Sequence, residues 1–354
     1  MIPQSATQVE PLSLIKHTSL PEDWRIQLRE AYRTPQQLLT ALGFSTAQQA
    51  PLLADNQGFA TLVPKAFAQK MRPQDPTDPL LLQVLPQAQE AIKHPEFNDD
   101  PLQEASFNPV PGVVHKYRGR ALLIAAGHCA INCRYCFRRH YPYSDQKRAR
   151  NEWQQSLSYI EKHPDIEEII LSGGDPLALT DPQLFELITA IEDISHVKRL
   201  RIHSRLPIVL PQRITLELCQ RLERSRLTCV MVVHANHTNE LAADVAQACE
   251  RLSQHKVRLL NQSVLLAQVN DNLESLKHLS ERLFEIGVMP YYLHLPDRVA
   301  GTTHFFVSLE RSQSIVAQMQ ACMSGYLVPK LVREEPGKLS KTLYSPLSPS
   351  TTQA

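Results

Sequence analysis

Over the first hundred or so residues, short apolar clusters alternate with prolines, which predicts a series of brief helices. Thr34-Pro35 followed by QQLLTALG supplies an N-cap, a proline at the first helical position, apolar Leu38, Leu39 and Leu42, and Gly43 as a stop. DWRIQLREAY before it and DPLLLQVLPQAQEAI after it read the same way. The polar, proline-broken stretch EFNDDPLQEASFNPVPGV then reads as a linker, so residues 1–108 are expected to form an N-terminal helical region. From residue 121 the pattern changes to short apolar, β-branched runs: ALLIAAG (121–127), EEIILSG (167–173), RLRIHS (199–204), TCVMVVHA (228–235), RLLNQSVLL (258–266) and MPYYLHL (289–295). Between them lie helical patterns such as DPQLFELITAIED, ITLELCQRLERS, NELAADVAQACERLSQ, NLESLKHLSERLFEIG and SLERSQSIVAQMQACM. Six strands each followed by a helix, about thirty residues apart, predict an α/β fold. The expected form is a partial (β/α)6 TIM-type barrel over residues 109–332, with an open doubly wound sheet as the alternative. In either, ligand chemistry belongs at the C-terminal strand ends. Residues 333–354 form a C-terminal segment, whose Ser/Pro/Thr-rich end SPLSPSTTQA is expected to be disordered.

Composition narrows the function classes. The 354 residues are 43% hydrophobic and 21% charged, as in a globular chain of one large or two smaller domains. With 37 Lys+Arg against 36 Asp+Glu there is no basic field for nucleic acid, and small ligands are the better expectation. MIPQSATQVEPLSLIKH has no apolar stretch after a basic start, and no apolar run is long enough to span a bilayer. A cytoplasmic protein away from membranes is expected, in which thiols stay reduced. Three of the seven cysteines, Cys129, Cys133 and Cys136, fall within eight residues in GHCAINCRYCFRRHY, directly after the first strand. Cys219, Cys229, Cys249 and Cys322 are isolated and read as small apolar core residues. Three thiolates on a loop suit two chemistries. One is a zinc-binding structural or interaction module completed by His128 or His140; the other is an iron–sulfur cluster with one iron left open.

Other constellations sit at the predicted strand ends. Ser172-Gly173-Gly174-Asp175 closes the second strand with the one adjacent glycine pair among eleven glycines. It reads as a tight turn or as close backbone approach to a ligand, with Asp175 accepting from an ammonium group. His234-Ala235-Asn236-His237 ends the fourth strand and Asn261-Gln262-Ser263 lies on the fifth. Arg134 and Arg139, near the last cluster cysteine, read as solvated charges or as contacts to the cysteine region. Lys338 and Lys341, each taken alone, read as surface lysines.

Cys129-x3-Cys133-x2-Cys136, with aromatic Tyr135 before the last cysteine, resembles the radical S-adenosylmethionine (SAM) signature. The resemblance implies a 4Fe–4S cluster held by those cysteines, SAM chelated to its open iron, and a reductant such as flavodoxin or ferredoxin. Reductive cleavage of SAM then gives a 5′-deoxyadenosyl radical. Ser172, Gly173, Gly174 and Asp175 resemble the element that holds the SAM amino group in such proteins, and His234 and Gln262 join the cofactor-binding strand ends. VVHANH, LLNQSVLLAQVNDN, SRLPIVLPQRIT and PYYLHLPD, spread over about residues 105–345, resemble the lysine 2,3-aminomutase family, which adds pyridoxal 5′-phosphate (PLP) to SAM. The resemblance implies that Lys341 carries PLP as a Schiff base, with Lys338 as the competing position. It places Tyr117 and Arg120 on the PLP phosphate, Arg138 on the substrate α-carboxylate, and Asp297 and Glu334 on its ε-ammonium. Glu334 stands where the family has Asp. The implied enzyme is an isomerase that converts L-α-lysine to β-lysine; a glutamate aminomutase is the alternative within the family. The chain is short and lacks the cysteine-bearing C-terminal region of clostridial-type members. It more closely resembles the compact bacterial members that make (R)-β-lysine for elongation factor P and its lysyl-ligase. Homo-oligomers are compatible with this reading.

Overall fold

The computed structural model describes residues 23–54, 58–141 and 152–346; the N-terminal 22 residues and the tail from residue 347 lie outside the described residues. Nine strands form one sheet: β1 (Val113–Tyr117), β2 (Arg120–Ala126), β3 (Glu168–Gly173), β4 (Arg199–Ser204), β5 (Thr228–Val233), β6 (Arg258–Val264), β7 (Met289–His294), β8 (Lys330–Arg333) and β9 (Thr342–Leu343). They pair strictly in chain order. Strands β2 to β8 are parallel, while β1 and β9 close the two ends antiparallel. Sequential order without a reversal has no switch point, so the doubly wound alternative falls and the sheet is a partial barrel. All six predicted strands are present. The seventh parallel strand escapes a sequence reading because KLVR carries just two apolar residues, Leu331 and Val332, between charges.

Among the described residues twelve α-helices accompany the sheet: α1 (Trp24–Arg29), α2 (Pro35–Ala41), α3 (Thr46–Gln49), α4 (Lys65–Ala68), α5 (Pro79–Leu82), α6 (Glu152–Glu161), α7 (Asp181–Glu192), α8 (Leu206–Val209), α9 (Leu216–Glu223), α10 (Ala243–Gln254), α11 (Leu273–Glu285) and α12 (Leu309–Cys322). Thr34 caps α2 through its side chain, with Pro35 in the first turn, as its sequence predicts. DPLLLQVLPQAQEAI does not form one helix. It breaks into α5 and a 3₁₀ turn over Ala88–Ala91, because Pro86 can neither donate nor tolerate the preceding turn.

Alternation within the strands separates core from cavity. Ala121 and Leu123 on β2, Ile169 and Leu171 on β3, Leu200 and Ile202 on β4, and Met231 and Val233 on β5 enter one buried cluster. That cluster also holds Leu184, Leu187, Ile188 and Ile191 of α7 and Val245, Ala248 and Leu252 of α10. The intervening residues, among them Leu122, Ile170, Ser172, Arg201, His203 and Gln262, line a cavity on the opposite face. A side-chain period of two makes this sorting obligatory once one face is covered by helices. Trp24, Leu38, Leu39 and Phe67 of the N-terminal helices belong to the same cluster as the barrel.

The N-terminal region also fixes the loop that follows β2. Glu90 is buried and receives Arg134 through Nε at 2.8 Å and again through a second guanidinium nitrogen, with Arg139 donating at 2.8 Å. Arg134 donates further to the carbonyls of Phe59 and Arg139 to that of Gly301. These arginines are therefore not solvated. Removing one member of a buried ion pair leaves an uncompensated charge and costs roughly 3–5 kcal/mol. Glu90→Ala should lower unfolding free energy by about that much in a denaturant titration; a change under about 1 kcal/mol would show that the clamp is dispensable.

Candidate active site

The cysteine loop leaves β2 at the C-terminal end of the barrel and is held on two sides. On one, Asn132 N–H donates to Leu62 and Arg134 N–H to Gln83, both in the N-terminal region. On the other, Gly174 N–H donates to Ala126 and Asp175 N–H to His128. A Cβ at Gly174 would lie 2.2 Å from the His128 carbonyl oxygen, and one at Gly173 would lie 2.6 Å from that of Ala126. The glycine pair thus permits close backbone approach, but to the cysteine loop itself. Asp175 is likewise engaged by protein: Ser204 Oγ donates at 2.7 Å, Arg205 N–H at 2.8 Å and Leu177 N–H at 3.0 Å. Burial pushes its carboxyl up to about 6 despite those donors.

Cys129, Cys133 and Cys136 all border a cavity of about 1230 Å³ that runs along the inner face of the barrel. Single small-molecule sites occupy about 300–1,000 Å³, so this one has room for more than one ligand. Among the described residues no group of three His, Cys, Asp or Glu is arranged to hold a single metal ion. His140, offered by the sequence as a fourth zinc ligand, turns toward the Ala300 carbonyl oxygen and Asp99 instead. Burial holds the Cys129 thiol well above its usual range, and burial with Cys133 nearby pushes Cys136 up to about 11. Arg205 donates to Cys133 Sγ at 2.7 Å and also to Gln83 and Glu240. Three cavity-facing thiols on one loop, with a cation beside one sulfur, fit a polynuclear iron–sulfur group. Cys219, Cys229 and Cys249 are buried core residues as expected, whereas Cys322 is exposed.

The other candidates spread along the same cavity. Tyr135 hydroxyl and His234 Nε2 share a hydrogen bond at 2.8 Å, and Asn236 donates to Tyr135 at 2.7 Å. His237 caps a short 3₁₀ turn rather than facing the cavity. Gln262, Tyr117 and Arg120 line the cavity, with the Arg120 guanidinium 4.4 Å above the Tyr117 ring. Burial pushes the Tyr117 hydroxyl up to about 12. His203 Nε2, His294 Nε2 and Arg201 Nε are buried and without a partner among the described residues, although all three side chains line this cavity. Such orphaned polar atoms, in a cavity that Arg120 also lines, fit a ligand carrying a phosphate and ring heteroatoms.

A chain of charges ends the cavity. Arg138 gives Nε to Glu104 at 2.8 Å and a second nitrogen at 2.7 Å, and its remaining arm reaches Ser172 Oγ and the Gly173 carbonyl oxygen at 3.2 Å. Lys116 Nζ donates to Glu334 Oε1 at 2.9 Å and Lys341 Nζ to Oε2 at 2.6 Å. Burial alone would raise Glu334, but Lys341 and Lys116 hold it down at about 2. Asp297 behaves oppositely: burial and then the Glu334 charge push it up to about 7. Lys341 borders the cavity, whereas Lys338 lies exposed on a turn. Glu90, Glu104, Lys116 and Arg205 were not singled out from sequence. Arg205 lies within the quoted SRLPIVLPQRIT, and Lys116 alternates with Val114 on the cavity side of β1 and adjoins Tyr117.

The radical SAM superfamily model matches residues 123–280, the stretch from β2 through most of α11. L-lysine 2,3-aminomutase of Haemophilus influenzae is 47% identical over 324 residues, covering 92% of this chain and 96% of its own. The Escherichia coli protein of that name is 47% identical over 329 residues, with 92% and 95% covered. That of Clostridium subterminale is 34% identical, with 92% of this chain and 78% of its own covered.

The chain belongs to the lysine 2,3-aminomutase family. The loop geometry yields a test. Gly174→Ala should push the loop away and leave the chain with less than half the iron and sulfide of wild type after anaerobic reconstitution. Gly325→Ala, which has nothing within 4 Å of its new methyl, should load normally. Equal loading of the two variants would show that the close backbone approach does not position the thiols.

Proposed function

We propose that the protein is an L-lysine 2,3-aminomutase, an isomerase that converts L-α-lysine to β-lysine. The observation that carries this reading is that one cavity is bordered by three loop cysteines, by Lys341 on Glu334 with Asp297 near, and by Arg138. An amino acid with one carboxylate and a second, distal ammonium matches that charge order. A glutamate side chain would meet Asp297 and Glu334 with like charge. The functional divisions are residues 1–108, 109–332 and 333–354.

Cys129, Cys133 and Cys136 would hold a 4Fe–4S cluster; Ser172, Gly173, Gly174, Asp175, His234 and Gln262 would border SAM; Tyr117, Arg120 and Lys341 would hold PLP. The cluster with SAM supplies a carbon-centred radical able to take hydrogen from an unactivated C–H bond, and PLP supplies the carbonyl on which an amino group moves between neighbouring carbons. The chain's own residues place the substrate. Asp297 and Glu334 hold its distal ammonium, and Arg138, fixed by Glu104, meets its carboxylate. Asp175 holds the loop through its own N–H on His128, and the start of α8 through Ser204 and the Arg205 N–H. Helices packed outside the barrel and the N-terminal region keep water from the radical.

The greater identity to the two γ-proteobacterial relatives than to the clostridial one supports a finer reading. The product is (R)-β-lysine destined for elongation factor P through its lysyl-ligase, in the cytoplasm, with a flavodoxin or ferredoxin as reductant. Anaerobic incubation with reductant, SAM, PLP and L-lysine, followed by chiral chromatography, should give (R)-β-lysine, and L-glutamate should be inert. Absence of β-lysine from a chain loaded with iron and PLP would overturn the reading.

Two further outcomes follow from the site. Borohydride reduction of the PLP-loaded chain and peptide mapping should place the pyridoxyl label on Lys341; label on Lys338 would move the assignment three residues. Asp297 must be ionised to hold an ammonium, and burial keeps it protonated up to about 7. Lysine binding therefore releases a proton below that pH, so affinity should climb as pH approaches about 7 and level off above it. In Asp297→Asn the climb should disappear, and affinity should fall roughly ten- to a hundredfold.

A further inference from the structure

Both oxygens of Glu334 are occupied by the protein's own ammonium groups: Lys116 at 2.9 Å on Oε1 and Lys341 at 2.6 Å on Oε2. Lys116 is anchored, with its side chain 8% exposed and Nζ also donating to the Leu102 carbonyl oxygen at 3.2 Å. Lys341 directly precedes β9, whose Thr342 pairs with Arg333 of β8. Glu334 thus has one ammonium on each carboxylate oxygen. A third ammonium gains nothing by entering. Withdrawal of the Lys341 ammonium leaves Glu334 with Lys116 on Oε1, and Oε2 loses the ammonium it binds.

We propose that Lys341 is a gate on the substrate's ammonium subsite. Its own ammonium fills the place of the substrate's on Glu334 until the amine is committed to PLP, so that the lysine pocket opens only in the cofactor-loaded protein. The inference rests on the aminomutase reading and deepens it, adding to Lys341 a specificity role separate from carrying PLP. It also assigns Lys116 a part, that of keeping Glu334 from attracting a cation while Lys341 is still there. No bond is made or broken in the gating itself; one ammonium replaces another on the same carboxylate oxygen.

The test is isothermal titration of the full-length chain, with its iron–sulfur cluster reconstituted and PLP absent. L-Lysine should bind Lys341→Met ten- to a hundredfold more tightly than wild type, the range expected of one regained charge-assisted contact. L-Norleucine, which lacks the distal ammonium, should bind both equally. The gain should vanish in Lys341→Met/Glu334→Gln. Lys341→Gln serves as a second neutral variant, and circular dichroism checks that each is folded. Lysine binding no tighter in both neutral variants than in wild type, or an equal gain for norleucine, would overturn the gate. Equilibrium dialysis of PLP-loaded wild type separates the two readings. If it binds L-lysine while the neutral variants show no gain, the gate fails and the function stands. If neither it nor the neutral variants bind L-lysine, the aminomutase reading fails and takes the gate with it.

Discussion

Glu90 holds two arginines of the cysteine loop in a buried cluster of charge, and the placement of the three thiols depends on it. The loop from Gly127 to Tyr141 has no helix or strand of its own. A segment without a hydrogen-bond ladder keeps one shape only if its surroundings fix it, and here they do so from both sides. Glu90 and the carbonyls of Phe59, Leu62 and Gln83 grip it from the N-terminal region, while the glycine pair at the end of β3 lets it lie against the barrel. Because Arg134 and Arg139 have no water to fall back on, loss of the carboxylate would free the loop at a cost comparable to much of a domain's net stability.

The same economy of buried charge runs through the rest of the cavity. Arg205 links Cys133 to Gln83 and Glu240, Asp175 links β3 to the start of α8, and Glu104 fixes Arg138. Each of these groups would be costly alone and is stable because its partner comes from another element. The N-terminal helices are thus part of the site as well as of the core, since Glu90 and Glu104 reach the loop from segments outside the parallel strands. At the far end, Lys116, Glu334 and Lys341 form a chain in which the central carboxylate carries one protein ammonium on each oxygen.

Strand parity explains how one sheet can serve two purposes. RLRIHS places Leu200 and Ile202 in the core, and Arg199, Arg201 and His203 in the cavity, simply by alternation. An inward face carrying arginine and histidine would be intolerable in a filled barrel. It is tolerable in a partial barrel with a cavity open to polar ligands, where His203, His294 and Arg201 keep buried atoms without partners among the described residues.

Much of this was written locally. The six βα repeats, the thiol spacing at 129, 133 and 136, and the helix caps depend on residues near one another in the chain, so periodicity and motif suffice to find them. The short flanking strands β1 and β8 were not legible, because five or fewer residues with embedded charges owe their strand form to pairing with a neighbour. Nor did the sequence tell that the glycine pair makes room for the cysteine loop, that Asp175 is spent on Ser204 and Arg205, or that Arg138 is already forked onto Glu104. It named Lys341 and Glu334 by resemblance, but not their contact or the presence of Lys116 between Glu334 and the linker. Chemistry-bearing residue types follow from local pattern; apart from Lys341 on Glu334, the charges of the site meet across 34 to 218 residues, and only the folded chain brings those together.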